Sequence, residues 1–220
     1  MLQITVLGSR YEKIILSIFF ISLNVHADER LSPVDESSDD PTFVTFKKNL
    51  NEAILKHNSA FIKNILADDV QYTFGADPNR QSAIDGFMKH YNIEKPSKFW
   101  NDLRSVIELG CTKSQDSFLC PYVYSKWPNQ LESFSYIVTI KEKTPIRVKP
   151  QRLAKTIRNA EFEILKLTSN QKAKGWYEVD LGDRKIGFVS QSDARSPIGY
   201  RAEFHKTLSS WKLKYFIAGD

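Results

Sequence analysis

Apolar residues recur at helical spacing in the first half of the chain and at strand spacing in the second half. From Asp40 to His57 they return every three or four positions, which predicts an amphipathic helix capped by Asp40. Shorter helical patterns cover 58–66, 82–91 and 97–110, and alternating patterns predict strands at 70–74, 118–127 and 134–140. Helices followed by strands indicate an α+β fold, in which we expect the helices to pack on a curved antiparallel sheet.

The pattern changes between Pro145 and Ala194, where short strands are separated by turns about every 8 to 12 residues. Strands are predicted at 146–148, 162–167, 176–181 and 186–189. A series of short strands with such regular turns is typical of a small β-barrel.

The final stretch, residues 195–220, predicts two more strands joined by a turn. A lone hairpin is marginally stable in water, so these strands need a sheet to join, and the first half of the chain offers one. The predicted plan is therefore an α+β domain of residues 41–144 plus 196–220, with a barrel of residues 145–195 inserted before the final hairpin. Trp211 of that hairpin is expected to be a core residue.

Four blocks of the barrel region, PIRVKP, EFEILKL, GWYEVDL and IGFV, resemble the bacterial SH3 domain. That family's pattern opens with N-V-R-x-x-P, has a strand before G-W-x-x-V, and closes with G-Y-V. The chain departs from it at Ile146, where the family often has an Asn-Val start, and at Phe188, which replaces Tyr. The flanking segments, such as PSKFWNDLRSVIELG and FLCPYV, look like exported bacterial proteins in which an SH3 module accompanies an uncharacterised α+β domain. Helices packed on such a sheet also resemble the nuclear-transport-factor-like cone fold.

Residues 1–27 have the pattern of a signal peptide. Arg10 and Lys13 precede an apolar run over 14–25. The run is followed by a small-residue cleavage site, Val25-His26-Ala27, and we expect cleavage after Ala27. A retained anchor is the alternative, but the run is shorter than the roughly 20 residues that span a bilayer. These features predict a periplasmic or secreted protein with no stable membrane span after cleavage. Residues 28–40 contain six acidic residues, one arginine and few apolar residues, which predicts a disordered leader.

The net charge of +5 understates the basic character of the folded body. Leaving out the signal peptide (two basic, one acidic residue) and the leader (one basic, six acidic) leaves 28 basic and 19 acidic residues, a net charge of about +9. A basic exported body favours anionic wall polymers, lipid head groups or acidic proteins as partners, whereas nucleic acid is not expected in that compartment. The alternative is a solvated surface with scattered lysines.

The chain has two cysteines, Cys111 and Cys120, which in an exported protein predict a disulfide. We expect neither a metal site nor a catalytic thiol here, because no histidine or third cysteine lies nearby.

Trp176 is the leading candidate for ligand contact. Alternation along its strand puts Trp176 and Glu178 on the face opposite the predicted core positions, which are Tyr177, Val179 and Leu181. Exposed aromatic residues beside polar groups are common in shallow peptide and glycan sites, although Trp176 packing under a loop is the alternative. Arg147 is a candidate partner for an acidic ligand, with a surface ion pair as its alternative role.

Aromatic residues of the α+β domain provide a second candidate site, a pocket lined by Tyr72, Trp100, Tyr122 and Trp127. Plain core packing is the alternative. An isomerase or dehydratase of the cone fold would need a buried acid or histidine facing a tyrosine, and Asp69, Tyr72 and His205 are the available pieces.

The sequence contains no catalytic signature, and we expect no cofactor or bound metal. The leading hypothesis is a noncatalytic exported envelope protein whose SH3-like module binds peptidoglycan peptides or a protein partner. The alternatives are a pocket enzyme built on the α+β domain and a secreted interaction or effector protein.

Overall fold

The computed structural model of the chain describes residues 29–75 and 82–219. The predicted signal peptide lies outside the described residues. Five helices are described: α1 (Pro41–Leu55), α2 (Ser59–Ile65), α3 (Ala83–His90), α4 (Lys98–Glu108) and α5 (Tyr122–Ser125).

Side-chain caps start three of these helices where the sequence predicts them. The Asp40 carboxylate accepts from the Thr42 amide at 2.8 Å, and Pro41 occupies the first turn of α1, where its missing N–H costs nothing. Asn58 caps α2 and Ser82 caps α3 in the same way.

Twelve strands are described, and five of them form one sheet. The strands are β1 (Leu66–Gln71), β2 (Thr112–Ser114), β3 (Ser117–Cys120), β4 (Tyr136–Thr139), β5 (Thr144–Arg147), β6 (Thr156–Ala160), β7 (Ile164–Lys166), β8 (Trp176–Asp180), β9 (Ile186–Ser190), β10 (Ala194–Arg195), β11 (Arg201–Lys206) and β12 (Trp211–Ile217). The five-stranded sheet has the order β1-β12-β11-β3-β2, and the others form sheets of order β10-β4-β7 and β6-β5-β9-β8. The molecule is therefore α+β.

The C-terminal hairpin lies in the middle of the five-stranded sheet. Strand β11 runs antiparallel to both β12 and β3, and β12 pairs with β1 on its other side. Apolar side chains on one face of the sheet, among them Phe204 and Phe118, pack with Phe43 of α1 in the largest hydrophobic core. The hairpin thus gains the sheet that its alternating pattern requires.

Three details of the predicted sheet are wrong. The strand predicted at 118–127 ends at Cys120, and Tyr122–Ser125 form the helix α5 instead. Strands β1 and β12 are parallel, so the sheet is mixed rather than antiparallel. The segment predicted as a strand at 134–140 contributes β4. This strand pairs with β7 and β10 in the three-stranded sheet and does not join the five-stranded sheet. The reason lies in its burial: Ile137 faces the core shared by the two smaller sheets, whereas Val138 faces a separate cluster with Tyr122.

The acidic segment before α1 is ordered, and the prediction of a disordered leader is wrong for residues 29–40. The Leu31 amide donates to the Phe162 carbonyl at 2.8 Å, and the Leu31 side chain is buried against β4 and β7. Asp35 pairs with Lys47 at 2.6 Å and Glu36 with Lys126 at 3.0 Å. The acidic composition indicated disorder, but these carboxylates lie against cations of the folded body.

Glu36 is fixed further by the backbone. Its carboxylate accepts from the Lys113 amide at 2.7 Å, and this bond, together with the Lys126 ammonium, lowers the pKa of Glu36.

Among the described residues, no helix is both long and apolar enough to cross a membrane.

Candidate binding cleft

Strand β8 has one buried and one open face, as its sequence predicts. Val179 is fully buried, and Tyr177 and Leu181 pack against the same core. Trp176 lies on the opposite face and is half-buried, with Ser190 of β9 as its cross-strand neighbour.

Trp176 and Arg147 line a common cleft of about 330 Å³. The other lining residues are Lys141, Pro145, Arg152, Ser190, Ser192 and Asp193. The structure therefore brings together two of the three residues predicted to bind a ligand, although they are distant in sequence and lie on different strands.

The guanidinium of Arg147 is held in place by its own hairpin. Its Nη1 donates to the Ala154 carbonyl at 2.8 Å and to Thr156 Oγ1 at 3.4 Å. A cation oriented in this way loses less side-chain entropy when a ligand binds.

The cleft carries more positive than negative charge. Lys141, Arg147 and Arg152 contribute three cations, and Asp193 contributes one carboxylate, which pairs with Lys141. Within residues 29–75 and 82–219, neither arginine forms an ion pair. The arrangement suits a carboxylate-bearing ligand beside the indole of Trp176.

Glu178 has a different position and supports the turn before β8. Its carboxylate accepts from Thr168 Oγ1 at 2.9 Å. Its backbone amide and carbonyl are both bonded to the Gln171 side chain, at 3.0 and 2.6 Å. Glu178 is not among the residues that line the cleft with Trp176.

The four aromatic residues predicted to line a pocket lie in different surroundings. Trp100 is buried in the largest core and stacks on His57 with ring centroids 5.0 Å apart, and Tyr72 packs at the edge of that core against Phe87. Tyr122 is buried in the cluster around Leu31, where burial raises its pKa to about 12. Trp127 packs against that cluster and also lines a second cleft.

The three residues considered as pieces of an enzyme site have separate partners. Asp69 pairs with Lys214, the Tyr72 ring packs against His90, and His205 lies beside Ser117, with 3.3 Å between its Nδ1 and the serine Oγ. The described residues contain no group of histidine, cysteine and carboxylate side chains that could hold a metal ion.

The disulfide predicted from the sequence is present between Cys111 and Cys120, with their Cα atoms 4.3 Å apart. It connects the residue before β2 with the last residue of β3, so it closes the edge hairpin of the five-stranded sheet. Both cysteines are completely buried.

Sequence reasoning did not identify Lys141, Arg152 or Asp193 as cleft residues. Lys141 and Asp193 meet because Ile140 donates to the Asp193 carbonyl at 3.0 Å, a contact between distant parts of the chain. Arg152 lies in the loop between β5 and β6. This loop has no periodic pattern of apolar residues, so the sequence does not predict on which side of the barrel region Arg152 lies.

Comparison of the chain with protein families, with curated proteins and with solved structures found no match.

Proposed function

We propose that the protein is a noncatalytic binding protein of the bacterial cell envelope, and that residues 145–195, joined by strand β4, form an SH3-like barrel that binds the acidic stem peptides of peptidoglycan. Two observations support the barrel. The strands of both smaller sheets share one core, and an isolated bridge between Leu167 and Val179 links β7 to β8. The four sequence blocks that resemble the bacterial SH3 domain lie in the same region.

The common cleft of Trp176 and Arg147 carries the proposal. Stem peptides present free carboxylates on a short, mostly apolar chain. The two arginines without ion pairs fit the carboxylates, and the indole face fits the apolar chain. The disulfide supports an extracytoplasmic location, because such bonds persist in oxidising compartments.

Cosedimentation with purified peptidoglycan tests this function. We expect wild-type protein to pellet with the wall material, and retention to fall as NaCl is raised, because ions screen the arginine contacts. Trp176→Ala should weaken binding about tenfold or more, as truncation of a central aromatic contact does. Arg152→Ala, at an exposed position of the cleft, should weaken it without affecting the fold.

Phe134→Ala is the matched control, because Phe134 is a 56% exposed aromatic residue that does not line the cleft. Its retention should equal that of wild type. Equal retention of Trp176→Ala and wild type would show that the cleft is not the binding site. Failure of wild type to pellet would reject peptidoglycan as the ligand and direct the search to an acidic protein partner.

A further inference from the structure

A second cleft, of about 290 Å³, lies where α5 and the loop after it meet the residues before β11. Tyr124, Trp127, Asn129, Pro197 and Ile198 contribute to its walls, and Arg201 lines it from the sheet. The described residues that line it all differ from those that line the cleft of Trp176.

Arg201 is buried to an unusual degree for a charged residue, with 5% of its surface exposed. Its Nη1 donates to the Gly219 carbonyl at 2.7 Å. The guanidinium carbon lies 4.7 Å from the ring centroid of Tyr124 and 5.5 Å from that of Phe74, so two aromatic rings fix its position.

The charge of Arg201 has no carboxylate partner in the part of the chain that the structure describes. Glu203, two residues along the same strand, instead accepts from Ser117 Oγ at 2.7 Å. Burial of an unpaired cation is costly, and one carbonyl with two aromatic faces compensates only part of that cost. A bound anion would supply the missing partner.

We propose that this cleft binds a small organic monocarboxylate. The planar guanidinium fork matches the geometry of a carboxylate, and the neighbouring Tyr124, Trp127, Pro197 and Ile198 suit a compact apolar or planar body. Among the described residues that line the cleft, Arg201 is the single cation, so its charge balances a monoanion better than a phosphate dianion. The volume lies at or below the lower limit for drug-sized ligands, which favours a small molecule.

Benzoate, with benzamide as its neutral analogue of the same shape, tests this inference. Isothermal titration calorimetry and 15N-HSQC titrations of the full chain should show benzoate binding at least about tenfold tighter than benzamide. The chemical-shift changes should fall on residues 124–133 and 197–201. Equal binding of the two compounds, or no binding of benzoate, would overturn the proposal.

Two variants locate the site. Arg201→Lys keeps the charge but loses the fork, and should weaken benzoate binding about tenfold. Asn129→Trp places a bulky ring at an exposed wall position without altering Arg201, so it should block binding even if the lysine variant folds poorly. Unchanged affinity in a folded Asn129→Trp protein would contradict the site.

Arg152→Ala separates this site from the peptidoglycan cleft. It should reduce retention on peptidoglycan while leaving benzoate affinity within a factor of about two, since Arg152 does not line the second cleft. Chemical-shift changes confined to the surroundings of Trp176 would overturn the second site and leave the proposed function standing.

Discussion

Ala202 of the C-terminal hairpin lies directly opposite Cys120 in the five-stranded sheet, and both residues are completely buried. The end of the chain is thereby paired with the strand that the disulfide anchors. Every strand from β4 to β10 lies between these two partners in sequence. The five-stranded sheet is therefore complete only after the chain has formed the two smaller sheets.

Trp211→Ala should destabilise the fold by about 3 to 5 kcal/mol, the usual cost of deleting a large core aromatic side chain. Trp211 is 5% exposed, lies 4.9 Å from Phe43 between ring centroids, and donates through Nε1 to Thr42 Oγ1 at 3.0 Å. Urea denaturation measures the loss. Leu208→Ala, at the fully exposed tip of the same hairpin, is the control and should change stability by less than about 0.5 kcal/mol.

Leu31→Ala tests whether the acidic segment is part of the fold. Leu31 is 9% exposed and packs with Tyr122 and Val138, so its truncation should cost about 2 kcal/mol or more in urea denaturation. Leu153→Ala removes the same atoms from a side chain that is 99% exposed, and should be close to neutral. Equal, small effects of both changes would mean that residues 29–40 are not packed on the body in solution.

Asp40 should make stability depend on pH in the acid range. Hydrogen bonding to Lys206 and Thr42 lowers the pKa of Asp40 below its ordinary value of 3.8. A carboxylate whose folded pKa is depressed stabilises the fold above its unfolded pKa, and this contribution is lost as the pH falls through the lower folded pKa. Chemical denaturation between pH 7 and pH 2 should show a loss of stability below about pH 4 that is smaller in Asp40→Asn.

Asparagine keeps a helix cap, so the two proteins should differ chiefly through the ion pair with Lys206. Identical pH profiles would show that the Asp40 carboxylate contributes nothing to acid sensitivity.

The double change Cys111→Ala and Cys120→Ala should cost about 2 to 3 kcal/mol, the range for a bond closing a loop of roughly ten residues. The buried positions accept alanine without leaving an unpaired thiol. Thermal or urea denaturation under oxidising conditions measures the loss. Added reductant should then have no further effect on the variant, whereas it should destabilise the wild type.

Local patterns predicted the elements best where side-chain chemistry acts over short distances. The caps at Asp40, Asn58 and Ser82 depend on a side chain reaching an amide two or three residues away, so sequence alone locates them. The alternation along β8 likewise separates Val179 from Trp176 without reference to any other strand.

Position in the sheets was harder to predict, because strand propensity does not specify a partner. The composition around Tyr136 predicts a strand, but it does not indicate which sheet that strand joins. The pairing of β4 with β7 is decided by two cores that bury opposite faces of one strand. Composition also failed for the acidic segment, since its order comes from cations such as Lys47 and Lys126 that lie far along the chain.

The sequence by itself determined the α+β class, the helix starts, the disulfide partners and the outward face that carries Trp176. Each of these follows from covalent chemistry or from the period of side chains along one element. The tertiary structure alone decided that Arg147 joins Trp176 with Lys141 and Arg152, that Glu178 supports a turn instead, and that Arg201 is buried beside Tyr124. Those relationships depend on contacts between segments that are distant in sequence. A local sequence pattern does not indicate which distant segments pack together.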